Sequence, residues 1–387
     1  MANVLFVMKY PLNEIYSIMQ KLDGEMKAVS ALGHNVYFIS FDKDFLYLNK
    51  FSNEQNHSNN RCIISKTTLG NSKLYYHLVS FYDIYRLAKN VIDKKNIDIV
   101  YFRYSPLNSV GYRFCRYAGV NGKLVVEIPT YTTKEETPKN IMRKMYTYWS
   151  KFWWKHSSKY VSFFTLIGEK ADLYLGRPAI NIDNGIYVEN IPPRQNENSS
   201  DKKIHLLAVA SMSTWHGYDR LIQGFSNWNS PLKSRYIIDL VGDEGDGSLA
   251  NWKKLVRECG LEKQVIFHGR LTGDKLTHMY NQATIGIASL GMYRNNLFSG
   301  SILKLREYMA RGLPFVYAHN DPDIKENMPW CLKMPNNDTP IDMEQINGFV
   351  DAISKNRDLS GQMRQYAIDN MTWETQFRKV FKKLYED

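Results

Sequence analysis

Cysteine is scarce in this chain. The four present, Cys62, Cys115, Cys259 and Cys331, lie far apart, with no CxxC pair and no histidine at zinc-site spacing. That excludes a disulfide framework and a structural zinc, and it points to a reducing compartment. No apolar run approaches the roughly 18 residues that span a bilayer. The opening MANVLFVMKYP lacks a charged n-region, and its apolar run is too short for a secretory signal. No repeat with a period of roughly 20 to 50 residues is visible, which excludes a solenoid. Acids are also short: 39 Asp and Glu face 50 Lys and Arg, for a net charge of +11. The absences predict a cytosolic protein; the charge predicts an anionic partner.

What is present is a repeating βα pattern. Asn3 to Met8 reads as a strand, Lys21 to Leu32 as a helix closed by Gly33, and Asn35 to Ser40 as a second strand. Strand, helix, strand implies a parallel sheet. Further strands are expected at Lys73 to Val79, Asp98 to Arg103, Lys123 to Ile128, Lys159 to Ile167 and Ala179 to Ile182, with a polar loop over Lys50 to Asn60. Glu189 to Lys203 is a linker with two prolines and no aromatic residue. After it the alternation restarts, with strands at Ile204 to Ala210, Tyr236 to Val241, Gln264 to His268, Thr284 to Ser289 and Phe315 to Ala318. The last stretch, Thr372 to Tyr385, has helical spacing. The organisation expected is two Rossmann-like α/β domains, 1–190 and 191–366, with 367–387 as a helix returning to the first.

Leu297 to Ala318, LFSGSILKLREYMARGLPFVYA, reads as loop, helix, stop and buried strand. A serine among Ser299 and Ser301 is expected to cap the helix, Gly312 to end it in a left-handed turn, and Pro314 to forbid its continuation. A helix start presents unpaired N–H groups and a positive dipole end, which suits a diphosphate. Lys304 adds a full charge one turn in, and Glu307 offers a carboxylate for ribose hydroxyls. By contrast, VGDEGDG (Val241 to Gly247) carries three acids and reads as a strand-end turn, not a phosphate loop.

With VASMSTWHGYDRLIQGF, IIDLVGDEG, VIFHGRLTGDKLTHMYNQATIGIASLG and DNGIYVENIP in this order, the chain resembles the nucleotide-sugar domain of GT-B glycosyltransferases, in particular glycosyltransferase family 4. The resemblance covers roughly Ala179 to Ala318. It implies two Rossmann-like domains facing a cleft, with the first half binding the acceptor. It also implies donor contacts at His216, Gly217, Arg270, Arg294, Ser299, Ser301, Lys304 and Glu307. The family's early Arg and its Lys before the glycine are replaced here by Ser211 and His216. Of its two glutamates eight positions apart, Glu307 matches the second, and Ser299 stands where the first would be. The implied donor is a UDP, GDP or dTDP sugar, with no metal and no separate cofactor. The implied acceptor is a glycan or a polyprenyl-diphosphate-linked glycan. Glu127, at a strand end in KLVVEIPTY, is the expected catalytic carboxylate. A nucleotide-sugar epimerase or a non-catalytic partner subunit on the same fold are the rival readings.

Between Lys139 and Gly168 there are six Lys and Arg and no acid. On a helix, Ile141, Met145, Tyr148, Trp149 and Phe152 share one side, and Lys144, Lys151 and Lys155 another. That is an interfacial amphipathic pattern. It predicts docking on the inner face of the plasma membrane through Lys144, Trp149, Lys151, Trp153, Trp154 and Lys155. No nucleic-acid module accompanies the charge.

Overall fold

The computed structural model describes residues 1–8, 16–41, 45–51, 62–66, 80–131, 141–195, 203–356 and 358–386. It divides into two compact units, 1–185 with 373–387, and 186–372. The helix that returns to the first unit begins at Trp373, and residues 367–372 stay with the second.

The first unit runs β1 (Asn3–Val7), α1 (Tyr16–Ala31), β2 (Asn35–Phe41), β3 (Phe45–Phe51), β4 (Cys62–Lys66), α2 (Ser80–Lys95), β5 (Ile99–Arg103), α3 (Ser109–Asn121), β6 (Lys123–Tyr131), α4 (Ile141–Ser157), β7 (Phe163–Gly168), β8 (Leu173–Tyr174) and β9 (Arg177–Asn181). The sheet order is β4-β3-β2-β1-β5-β6-β7-β9-β8. Its centre, from β2 through β9, is parallel. Parallel strands are buried on both faces, and β1, β5 and β6 accordingly read as continuous Val, Leu, Ile and Phe runs. Ile84, Leu87 and Val91 of α2, Phe114 of α3 and Trp154 of α4 cover one face. Leu22, Met26 and Val29 of α1 cover the other.

The antiparallel pairs β2–β3 and β3–β4 depart from the sequence reading, which places a polar loop from Lys50. Lys50 and Phe51 are the last residues of β3; Asn49 beside them is buried, so polarity here does not mark a loop. The strand expected at Lys73 to Val79 lies outside the described residues.

The second unit runs β10 (Ile204–Val209), α5 (Tyr218–Asn227), β11 (Tyr236–Val241), α6 (Ser248–Glu258), β12 (Val265–Gly269), α7 (Gly273–Gln282), β13 (Ile285–Ile287), α8 (Leu303–Arg311), β14 (Phe315–Tyr317), β15 (Cys331–Lys333), α9 (Met343–Ser354) and α10 (Leu359–Asn370). Its sheet is wholly parallel, in the order β12-β11-β10-β13-β14-β15. That is the doubly wound Rossmann order, and its direction reverses between β10 and β13. Ligands of such sheets bind outside the carboxyl ends of the strands at that reversal.

The last helix, α11 (Trp373–Glu386), lays Trp373, Phe377, Val380, Phe381 and Leu384 against the α1 face of the first unit's sheet. Within the second unit, Ile186 N–H donates to Met371 O at 2.8 Å.

Candidate functional site

The carboxyl ends of β10 and β13 are bridged by one polar cluster. After β10 the chain makes a short 3-10 turn, Thr214–His216, and Gly217 turns it into α5 at φ +65°. A side chain at Gly217 would meet Gly291 N at 2.7 Å, so this loop packs against the end of β13 only with glycine here. His216 is thereby buried, its Nδ1 2.9 Å from Ser289 Oγ.

Lys304 comes to the same point from α8. Its Nζ lies 3.4 Å from His216 Nδ1 and 2.9 Å from Tyr218 OH, 5.5 Å over the Tyr218 ring. Burial pulls the ammonium down to about 7, against a partial rescue by the Glu307 charge. Burial, then the Lys304 charge, push the His216 imidazole far below its ordinary range, so it is neutral. With Nδ1 accepting from the Ser289 hydroxyl, the ring proton is assigned to Nε2, which is then a donor. Among the described residues no carboxylate lies within ion-pair distance of Lys304 Nζ.

The helix beneath is uncapped. Ile302, at φ −100°, occupies the cap position of α8 with no side-chain cap hydrogen bond. This corrects the expectation of a serine cap, since Ser299 and Ser301 lie three and one residues too early. The stop is as expected: Gly312 is left-handed at φ +69° and returns its N–H to Met309 O. Ile302 N–H donates to Asp321 Oδ2 at 3.4 Å, and the N–H groups after it stay orphaned beside an unneutralised lysine, the two ingredients of an anion site.

Glu307 lies one turn further along α8, half-buried. It accepts from Arg311 Nε at 3.0 Å, and Arg311 itself stacks 3.9 Å from the Tyr280 ring. Ser299 pairs through its backbone with Asn320 just beyond β14. The acidic loop after β11 is a turn built by its own acids. Glu244 Oε1 accepts from the N–H groups of Gly245, Asp246 and Gly247, while Asp246 Oδ2 accepts from Thr214 N and Oγ1.

Other expected residues already have partners or stand apart. Arg294 is gripped bidentately by Asp219, at 2.8 Å to each oxygen, and also by Asp338 at 3.0 Å. Its Nη1 also donates to Thr214 O at 2.9 Å, so it braces the loop after β13 against the turn that carries His216. Arg270 stands exposed just past β12, two strands from β10.

Glu127 is fully buried at 0% exposure. Lys21 Nζ and Arg103 Nη1 hold its Oε1 at 2.8 and 2.7 Å, and Tyr101 OH donates to Oε2 at 3.2 Å. Burial opposes its charge, but Lys21 and Arg103 prevail and hold its carboxyl below the ordinary range. A carboxylate so enclosed and so weakly basic is a buried anchor, which corrects its reading as an accessible base. Its neighbour Glu25 takes the opposite course, pushed up to about 8 by burial and by the Glu127 charge.

On α4, Ile141, Met145, Tyr148, Trp149 and Phe152 are each at least half exposed, with Lys151 and Lys155 exposed beside them. Lys144 and Trp153 are half-buried. Trp154 corrects the expected membrane set. It is 1% exposed, lies 4.7 Å from the Tyr104 ring and donates Nε1–H to Ser105 O at 3.0 Å. No helix among the described residues is long and apolar enough to cross a membrane.

Two participants escape the sequence reading. Ser289 and Tyr218 complete the His216–Lys304 cluster. A serine ending a strand at the sheet's reversal is the only signal that would have pointed to Ser289.

Comparison with known proteins follows the same lines. Residues 191–326 match the model of the family described as Glycosyl transferases group 1. No curated protein matches the sequence. Among solved structures, a glycosyltransferase from Rickettsia africae superposes with a TM-score of 0.64 at 16% identity, covering 98% of this chain and 97% of that one. Sucrose-phosphate synthase from Thermosynechococcus elongatus gives 0.62 at 15% identity, over 100% of both chains. Anabaena HepE in complex with UDP-glucose gives 0.61 at 13% identity, also over 100% of both. The chain has the GT-B fold of two Rossmann-like domains, and its residues 191–326 are similar to the glycosyl transferases group 1 family.

Proposed function

We propose that this protein transfers a sugar from a nucleoside-diphosphate donor to a glycan or polyprenyl-diphosphate-linked glycan in surface polysaccharide biosynthesis. One observation carries the donor side: Lys304, without a carboxylate partner among the described residues, stands beside the uncapped start of α8 at the sheet's reversal. A buried, unneutralised cation is costly unless an anion completes it. A diphosphate fits that requirement, and the fold is shared with a protein crystallised with UDP-glucose.

In this reading the developing charge on the leaving diphosphate is met by the Lys304 ammonium, by His216 Nε2–H and by the N–H groups of Leu303 and Lys304. Such fixed donors act without reorganising and supply the role a divalent ion has elsewhere. Glu307 accepts from the ribose. Lys304 takes over the work of the two cations that this sequence lacks at Ser211 and His216.

The exposed apolar side of α4 rests on an anionic leaflet in the same proposal, where a lipid-linked acceptor is found. Each exposed lysine there contributes about 1 kcal/mol of attraction. Trp149, Trp153 and Phe152 form the aromatic contact, and Trp154 takes no part.

The donor reading is tested by calorimetry with UDP-, GDP- and dTDP-glucose on wild type and on Lys304→Ala. Saturable binding of at least one, lost in the variant, is expected. Binding of none sinks the donor proposal and favours a non-catalytic subunit, a role that Ser299 in place of the family's glutamate also suits.

A further inference from the structure

A cavity in the 186–372 unit lies apart from the His216–Lys304 cluster. It has a volume of about 500 Å³ and opens between the loop before α8, the ends of β14 and β15, and the start of α9. In the sheet order β15 is two strands beyond β13, so this opening is displaced from the reversal where the donor is proposed. Cavities of this size take a small organic ligand.

Its chemistry is mixed in a specific way. The buried side chains of Ala318 and Met334 form an apolar floor, and Phe298, 44% exposed, stands as an aromatic wall. Around them are three side-chain amides, Asn320, Asn336 and Gln345. Asn336 Oδ1 accepts from Tyr293 N at 3.3 Å, while its buried Nδ2 has no partner among the described residues. Gln345 Nε2 donates to Asp342 Oδ2 at 2.9 Å, which leaves its carbonyl as an acceptor.

The cavity's charge rules against a phosphate. Lys333 is its one lysine or arginine, and that ammonium is already held by Glu326 and by Asn320 Oδ1. Lysine and glutamate cancel, in contrast with Lys304. A neutral ligand with an apolar face and a ring of groups that both donate and accept is therefore required. A pyranose is such a ligand: its C–H face lies on an aromatic ring, and its neighbouring hydroxyls pair with planar amides. A nucleobase fits less well, since it is normally held between two flat faces and Phe298 is the single aromatic ring here.

We propose that this cavity binds a neutral sugar unit of a glycan, at a site separate from the donor cluster. The proposal goes beyond the transfer reaction and does not rest on it.

The test is saturation-transfer NMR on the full chain with the methyl glycosides of glucose, galactose, mannose, N-acetylglucosamine and rhamnose, and with uridine as a control. Phe298→Ala and Gln345→Ala are compared with Lys304→Ala, and thermal melting verifies that each variant folds. At least one glycoside is expected to bind wild type and Lys304→Ala equally, and to bind Phe298→Ala about tenfold or more weakly, with a smaller loss in Gln345→Ala. Binding of no glycoside overturns the proposal. So does binding lost in Lys304→Ala yet kept in Phe298→Ala, or a site that Phe298→Ala empties of uridine alone. Because Lys304→Ala is the donor-site variant, failure here is read separately from failure of the donor proposal.

Discussion

Lys304 Nζ and His216 Nδ1 face each other at 3.4 Å, two nitrogen bases whose proton affinities burial drives down together. Neither supplies the other with an anion. The pair holds its charge poised for something absent from the chain itself.

Replacing the lysine exposes that tension. Lys304→Met keeps the aliphatic stem and removes the charge. Nucleotide-sugar affinity is expected to fall by about tenfold to hundredfold, the worth of a hydrogen bond to a charged group. Thermal stability of the ligand-free protein is expected to rise, by roughly 1 to 2 kcal/mol, as when other functional strains are relieved. Calorimetry and a thermal melt read the two effects on the same sample. Equal loss of both binding and stability contradicts the poised-charge account.

The pH dependence follows in sign. Empty, Lys304 titrates near 7. An adjacent diphosphate favours the ammonium, so the complex titrates higher. Binding above pH 7 must therefore take up a proton, and affinity for UDP-glucose falls as pH rises, by up to about tenfold per unit. Below about pH 6 it is flat, because the lysine is already charged. The nucleotide-sugar diphosphate, being doubly esterified, has no ionisation of its own in this range. Calorimetry in buffers of different ionisation heat measures the proton uptake directly, and Lys304→Met should abolish it.

Gly217→Ala tests the loop. The left-handed φ of +65° and the 2.7 Å approach to Gly291 N both oppose a side chain. Strain of this kind costs about 1 to 3 kcal/mol, more where backbone must move. The expected result is a lower melting temperature together with weakened nucleotide binding. Gly247, also left-handed but with open space around it, provides the control for φ alone.

Two tryptophans on α4 should behave oppositely. Trp154→Ala removes a core ring packed with Phe102 and Tyr104 and should destabilise by about 3 to 5 kcal/mol. Trp149→Ala, 55% exposed in the native helix, should leave melting unchanged and weaken co-sedimentation with phosphatidylglycerol vesicles. Undiminished vesicle binding in a combined Trp149→Ala, Phe152→Ala variant removes the membrane proposal.

The buried carboxylates give a stability signature. Glu25 titrates near 8 when folded and near its ordinary 4.5 when unfolded, so between these values the folded state holds more protons. Stability therefore falls as pH rises through that window. In Glu25→Gln this loss is absent. The melting-temperature advantage of the variant is expected to grow between about pH 5 and pH 8, and a constant difference rejects the assignment.

The doubly wound order of the second sheet was readable because each strand is a compact apolar run set off by glycine, asparagine or aspartate. Cys331–Lys333 was not, since three residues carry no period. At the site, Lys304 and the Gly312 stop were legible from spacing, because a helix places its residues at fixed angles. Arg294 was not, because its partners Asp219 and Asp338 are brought to it only by the tertiary fold. Glu127 and Trp154 share one lesson. Alternation and helical phase say which side a residue takes, while its depth depends on what packs over that side. Here the cover comes from Lys21, Arg103 and Tyr101 for the one, and from Tyr104 and Phe102 for the other.

The returning helix α11 sets an order of assembly. Residues 186–372 form an unbroken segment, complete as soon as it leaves the ribosome. The earlier half must wait, because Trp373, Phe377, Val380, Phe381 and Leu384, which cover its sheet, are translated only after that segment. Although domains usually fold in the order of their synthesis, here the first to emerge is the last to close.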